Sequence, residues 1–345
     1  MNTRKPSTGT RHAPFLQTSS ANDDVLDAID IYLELQPQPQ PRPVRNESDG
    51  ELVDQCDDPV ADFHKFGWGD YLHFAPRWQG QSVHESIVRH EHWLAYKLLI
   101  EGASRVLDVG CGVGGPMREI HRLTGCRITG IERDADRIHR AAELNDGAGL
   151  AAHCTLVKAD FMAMPLPDAA MDAAYAIEST AHAPRLSDAY REIHRVLRPN
   201  GLFGTFEWCM TSRFDPADPE HQAIKRQIEV SCGVPRIGGA GDVIRAMREA
   251  GFRILETEDR ASQGDVPWWE PLSPSWRTPS SLRGSHVGAR LTIAALRVLE
   301  PLHLVPRGTT MAARMLTLGS RALVAGGERG IFTPVFFVLA KKGRA

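Results

Sequence analysis

Along the middle of the chain, short apolar runs alternate with stretches in which apolar residues recur every three or four positions. The runs Arg105–Val109, Arg127–Ile131, Thr155–Lys158, Asp172–Ile177 and Leu202–Trp208 read as strands. Between them, Met117–Thr124, Asp134–Asn145 and Leu186–Leu197 have helical spacing. Strand and helix in this order predict a parallel sheet with helices on both faces. Two later runs, Phe252–Thr257 and Thr333–Ala340, bring the strands to seven and lie roughly 75 residues apart. A gap of that length is too long for a plain loop, so it predicts helices of its own that cover the active site. Upstream, Val83–Ile100 reads as a helix stopped at Glu101-Gly102.

Composition adds bounds. The 345 residues are 42% hydrophobic and 24% charged, as in a soluble globular protein. A net charge of -3 with scattered Lys and Arg excludes a basic nucleic-acid footprint, so no nucleic-acid partner is expected. Residues 1–55 are rich in Ser, Thr, Pro and Gln, with Gln or Arg alternating with Pro over Gln36–Pro43. They read as a disordered extension with a short helix near Asp24–Leu35. The N-terminus has no apolar signal region, and no apolar stretch reaches about 20 residues. The expected location is therefore cytoplasmic, with peripheral contact at a membrane left open. The cysteines Cys56, Cys111, Cys126, Cys154, Cys209 and Cys232 form no Cys-x-x-Cys pair and are read as reduced. No metal site is expected.

The strongest motif is Leu107-Asp108-Val109-Gly110-Cys111-Gly112-Val113-Gly114-Gly115-Pro116, placed between a predicted strand and a predicted helix. Glycines there let backbone approach a ligand closely. The spacing of Gly110, Gly112 and Gly115 also satisfies a dinucleotide pattern. Asp108 instead suits a cationic ligand, and S-adenosylmethionine carries both an ammonium and a sulfonium. At the second strand end, Glu132 can accept the ribose hydroxyls. At the third, Asp160 can accept the adenine amino group and Phe161 can offer an apolar face. Acids at three successive strand ends fit one nucleoside, so the cofactor-binding set is Asp108, Gly110, Cys111, Gly112, Gly114, Glu132, Asp160 and Phe161, with S-adenosylhomocysteine as product.

Further blocks give the chain a resemblance. Phe66-Gly67-Trp68-Gly69 with Leu72-His73-Phe74, Arg89-His90-Glu91-His92 with Leu94-Ala95-Tyr96-Lys97, and Tyr175-Ala176-Ile177-Glu178-Ser179-Thr180 with His182-Ala183-Pro184 are three of them. Glu207-Trp208, Pro267-Trp268, Leu323-Val324-Ala325-Gly326-Gly327 and Phe332-Thr333-Pro334 are others. Together with the glycine loop, these resemble the sterol 24-C-methyltransferases over about residues 62–341. The stretch before Gly233-Val234-Pro235 and the Glu132-Arg133-Asp134 turn depart from that family's pattern, which bears on substrate and product more than on cofactor.

The resemblance implies a class I, Rossmann-like methyltransferase: a doubly wound, mostly parallel seven-stranded α/β sheet with a helical or irregular substrate cap. The organisation expected is an extension (1–55), a substrate-associated segment and helix (56–103), the cofactor-binding core (104–259), a cap insertion (260–330) and a last core strand with tail (331–345). It also implies a homo-oligomer and C-methylation of a sterol side-chain alkene. Another prenyl alkene, linear or triterpenoid, is the alternative substrate, and a non-catalytic lipid-binding protein the alternative role. Alkene methylation generates a carbocation that must lose a proton. Aromatic faces stabilise a cation without trapping it, and Trp68, Tyr71, Phe74 and Trp208 are the candidates. For the base and polar groups the candidates are His90, Glu91, Glu178, His182 and Glu207. His90 leads, then Glu178 and His182, because an unperturbed histidine titrates near working pH. Glu91 or Glu178 could also hold the sterol 3-hydroxyl. No H-E-x-x-H, G-x-S-x-G or P-loop pattern supports other chemistry. The apolar stretch Leu291–Leu299 reads as a buried helix, a subunit interface or a membrane contact.

Overall fold

The computed structural model describes residues 73–273, 286–306 and 308–343. The expected extension over residues 1–55, the Phe66–Gly69 block, Trp68 and Tyr71 lie outside the described residues. Seven strands form one sheet: β1 (Arg105–Val109), β2 (Arg127–Glu132), β3 (Cys154–Lys158), β4 (Met171–Ile177), β5 (Leu197–Met210), β6 (Phe252–Asp259) and β7 (Phe332–Lys342). Their order is β3-β2-β1-β4-β5-β7-β6. The first five are parallel, and β7 inserts antiparallel between β5 and β6. Winding reverses between β1 and β4, so their carboxyl ends open the crevice where sheets of this type bind ligands.

Helices flank both faces. α1 (Val83–Lys97), α2 (Gly115–Thr124), α5 (Pro219–Ser231) and α8 (Thr309–Glu328) contribute Leu94, Met117, Ile228 and Leu323 to one apolar layer, with Val106, Phe206 and Phe337 of the sheet. α4 (Leu186–Val196) and α6 (Ala240–Glu249) contribute Tyr190, Ile193, Val243 and Met247 to the other, with Leu107, Phe203 and Val338. The period-two alternation along each strand feeds both layers. Between α2 and β3 runs α3 (Ala135–Gly147), capped by Asp134, whose side chain accepts from the amides of Asp136 and Arg137. At α1, Ser82 and Glu85 form a reciprocal capping box.

Two boundaries differ from the sequence reading. The helix expected to run to Ile100 ends at Lys97. Leu98 and Ile100 are both buried, and the chain reaches both by turning through an exposed Leu99 with φ of 52°. The stop is thus set by burial on either side and not by Gly102. The strand expected at Leu202–Trp208 is the middle of a strand from Leu197 to Met210, because pairing with both β4 and β7 extends it. The insertion after Arg260 does contain helices, α7 (His286–Leu299) and α8. Leu296 of α7 is buried, whereas Leu291 and Val298 are 66% and 60% exposed. Among the described residues no helix is long and apolar enough to cross a membrane.

Candidate active site

The glycine loop leaves β1 at the crevice. Gly110 has φ of 74°, and a Cβ there would lie 2.5 Å from Cβ of Ser179. Gly112 has φ of 53°, and its missing side chain would point into open space. The backbone at Gly112 is therefore accessible to a ligand, which any side chain would obstruct. Gly114, also left-handed, starts α2, with Pro116 in its first turn. Cys111 packs beneath the loop against Gly130, and burial pushes its thiol well up, so it stays neutral.

Glu132 ends β2 and ties the loop to it. Its Oε2 accepts from the Gly112 amide at 3.1 Å, and its Oε1 from those of Arg133 and Asp134 at 2.8 and 3.0 Å. Asp160 follows β3 half-buried, with Oδ1 accepting from the Met162 amide at 2.8 Å. Phe161 beside it packs on the apolar layer that contains Leu107 and Val109. Asp108 is buried, and the Tyr175 hydroxyl donates to its Oδ2 at 2.9 Å. Burial pushes the Asp108 carboxyl up to about 7, against the pull of that hydrogen bond.

A second group of buried polar side chains adjoins the loop on the α1 side. Glu91 is 0% exposed, and its Oε1 lies 3.0 Å from Nε2 of His73. The other His73 nitrogen, Nδ1, lies 3.1 Å from the Phe74 carbonyl. A carbonyl only accepts, so Nδ1 carries the hydrogen, and the pair shares one proton between Nε2 and Oε1. Burial works against charge on His73, but the contact with Glu91, the Glu178 charge and the Phe74 carbonyl together outweigh it and raise the imidazole. Burial raises Glu91 as well, and its Oε2 is buried with no hydrogen-bond partner among the described residues. His90 stacks on Phe206 with ring centroids 3.9 Å apart. Both of its ring nitrogens are buried without a partner among the described residues, and burial lowers it well below the usual histidine value.

Glu178 joins this group to an aromatic wall. It holds a left-handed φ of 59°, uncommon for a residue with a side chain. Its Oε1 accepts from the Phe74 amide at 2.7 Å and its Oε2 from Nε1 of Trp208 at 2.8 Å. Burial pushes its carboxyl up to about 7, with His73 and Trp208 opposing. Phe74, Trp208, Trp268 and Phe332 form the wall, with neighbouring ring centroids 5.1–6.5 Å apart. Gly327 of α8 allows it, since a Cβ there would meet Trp269 at 2.3 Å and Trp268 at 3.0 Å.

The structure thus brings together Asp108, His90, Glu91, Glu178, Phe74 and Trp208. It does not bring in His182, which is exposed on a short turn with Nδ1 3.2 Å from the Gly233 carbonyl. Glu207 points to the opposite layer. Its Oε1 takes hydroxyl hydrogens from Thr180, from Thr205 at 2.9 Å and from Tyr190 at 2.9 Å. It fastens α4 to β5, and burial raises its carboxyl while those hydroxyls oppose the shift. Reading the sequence for site residues missed His73, Tyr175 and Trp268. The available signals were Tyr175 inside a strand otherwise built of small apolar residues and the His73-Phe74 pair.

Asp108, Glu91 and Glu178 are buried carboxylates, and burial raises all three. Such groups favour a cation that would restore their charge. An open glycine cradle, acids at successive strand ends and an orphaned buried carboxylate oxygen suit S-adenosylmethionine, which is cationic at its ammonium and sulfonium.

Comparison with known proteins agrees. Residues 107–205 match the family described as methyltransferase domain, and residues 280–343 the sterol methyltransferase C-terminal family. The cycloartenol-C-24-methyltransferase of Arabidopsis thaliana is 42% identical over 320 residues, 92% of this chain and 95% of that protein. The sterol 24-C-methyltransferase of Eremothecium gossypii is 42% identical over 291 residues, covering 82% of this chain and 78% of that protein. Among solved structures, a geranyl diphosphate C-methyltransferase from Streptomyces coelicolor A3(2) superimposes with a TM-score of 0.63 at 17% identity. That match covers 88% of this chain and 100% of the other and bears on the fold alone.

Proposed function

Because the chain belongs to the sterol 24-C-methyltransferase family, we propose that it methylates carbon 24 of a Δ24 sterol through a carbocation that is then deprotonated. It is an S-adenosylmethionine-dependent methyltransferase of class I fold. The observation that carries the mechanism is the union, at Glu178, of a buried acidic group with an aromatic wall.

Bound S-adenosylmethionine supplies a methyl group made electrophilic by its sulfonium. Asp108, Glu132, Asp160 and Phe161, with the backbone of Gly110, Cys111, Gly112 and Gly114, hold it. Phe74, Trp208 and Trp268 exclude water from the sterol side chain and face its cation with π-electrons. Trp68 and Tyr71, outside the described residues, are proposed as further cation-stabilising aromatics. Glu178 balances the cationic charge and fixes the Trp208 ring. His90 takes the proton: buried, it is neutral at working pH and has a lone pair that no group among the described residues uses. A weak base suffices, because a carbon next to a carbocation is strongly acidic.

The sterol partitions into bilayers, so the enzyme is proposed to work at the cytoplasmic surface of a membrane. The exposed residues Leu291, Val298, Leu302 and Leu304 would rest on it. Exposed Arg290 and Arg297 beside them suit anionic headgroups. Glu300 is engaged in accepting the amides of Gly308 and Thr310. Self-association, the other fate of such a face, is separable by measuring oligomeric state.

The test is turnover of methyl-labelled S-adenosylmethionine with a Δ24 sterol, its side-chain-saturated counterpart and a linear prenyl alcohol, with products read by mass spectrometry. A methylated product from the Δ24 sterol alone is expected. Methylation of the prenyl alcohol alone would overturn the sterol assignment and leave the chemistry in place.

A further inference from the structure

The sequence offers Glu91 as a base or a sterol ligand. Its surroundings put it at the cofactor end of the site. α1 lies against α2, the helix that leaves the glycine loop, with Nε2 of His92 3.0 Å from Oε1 of Glu119. The Glu91 charge reaches Asp108 and the Asp108-bound Tyr175, and the Glu119 charge reaches Glu91. Glu91 thus stands among the groups behind the loop, while Glu178 faces the aromatic wall.

The state of its two oxygens is informative. Oε1 is engaged by His73, whose tautomer is set by the Phe74 carbonyl. Oε2 is fully buried and has no partner among the described residues. A buried carboxylate oxygen without a donor is costly, and a second buried carboxylate nearby compounds the cost. Both costs vanish if a cationic donor enters beside them. A sterol hydroxyl would satisfy Oε2 but would leave Asp108 without a counter-charge of its own, since His73 is bonded to Glu91 and Asp108 meets only the neutral Tyr175 hydroxyl. An ammonium supplies hydrogens and charge together.

Building on the cofactor assignment above, we infer that Glu91 is a ligand of the cofactor's amino-acid end, its Oε2 accepting from the methionine ammonium beside Asp108. His73 is then a positioning residue. It holds Oε1 and so turns Oε2 toward the incoming ammonium.

The test uses two compounds that differ at that end. S-adenosylhomocysteine carries the ammonium, and 5′-methylthioadenosine keeps the nucleoside and thioether but lacks the amino-acid group. Calorimetric titration of the full chain should show wild type binding the first more tightly. Glu91→Gln, nearly isosteric, should weaken S-adenosylhomocysteine by about ten- to a hundredfold, the range of one hydrogen bond to a charged group. It should leave 5′-methylthioadenosine within about twofold, which also reports an intact fold. Glu91→Asp should recover part of the loss, because it restores the charge. An equal loss for both compounds would mark Glu91 as structural and overturn the inference, as would no loss for either. A wild-type protein that binds neither compound would overturn the cofactor assignment itself.

Discussion

Tyr175→Phe isolates one hydrogen bond at the centre of the proposed cofactor site. The change removes the hydroxyl that donates to Asp108 Oδ2 at 2.9 Å and leaves the buried ring in place. That donor holds the Asp108 carboxyl down, and burial with the Glu91 and Glu132 charges raises it, to a balance at about 7. A hydrogen bond to a charged group contributes about 1.5–3 kcal/mol. At about 1.36 kcal/mol per pH unit, its loss should move the titration of Asp108 up by about one to two units. In the proposed binding mode the cofactor's cation needs the Asp108 carboxylate, so affinity should rise with pH through the Asp108 titration. In wild type the rise is centred near 7, and in the variant it is displaced upward by that amount. The sign for stability is opposite. A carboxyl raised from about 4 in the unfolded chain binds its proton more tightly when folded. Asp108 therefore favours the ligand-free fold at low pH, and that contribution is lost as pH rises from about 4 through 7. The assay is calorimetric titration of S-adenosylhomocysteine from about pH 5 to about pH 9, with thermal melts alongside. A variant whose affinity follows the wild-type pH curve would refute the coupling of Tyr175 to Asp108.

Three other outcomes are expected. His90→Leu removes two buried nitrogens that have no partner, so thermal stability should hold or rise by about 1 kcal/mol while sterol turnover collapses; a stability loss with turnover intact would contradict the proposed base. Gly327→Ala should destabilise by about 1–3 kcal/mol and lower sterol turnover more than cofactor affinity, because its Cβ would collide with Trp269 and Trp268, and melts with separate binding titrations will show this. The double change Leu291→Glu and Val298→Glu should abolish flotation with anionic vesicles while leaving turnover of detergent-dispersed sterol unchanged; unchanged flotation together with a smaller oligomer in solution would assign the face to subunit contact.

What the residues reveal before any fold is known is mostly local pattern. Strand identity follows from short apolar runs, and β1 begins and ends where the sequence places it, at Arg105 and Val109. The glycine loop is a contiguous motif whose backbone demands show in its residues, and Gly110, Gly112 and Gly114 do take positive φ. The strand-end acids Glu132 and Asp160 are read the same way, because strand and loop alternate within a few residues.

Contacts between residues far apart in the chain follow from the fold alone. Tyr175 meets Asp108 across 67 positions because β4 lies beside β1 in the sheet. Glu178 grips the Phe74 amide 104 positions away and Trp208 30 positions away, which makes it the junction of the two halves of the site. His182 and Glu207 have the same chemistry as His90 and Glu91 on paper. They part company only because one sits on an exposed turn and the other faces the opposite layer. A sequence states which side chains can accept a proton or hold a charge. Strand order and helix packing decide which of them lose water and which partners they find, and desolvation together with those partners sets their working charge.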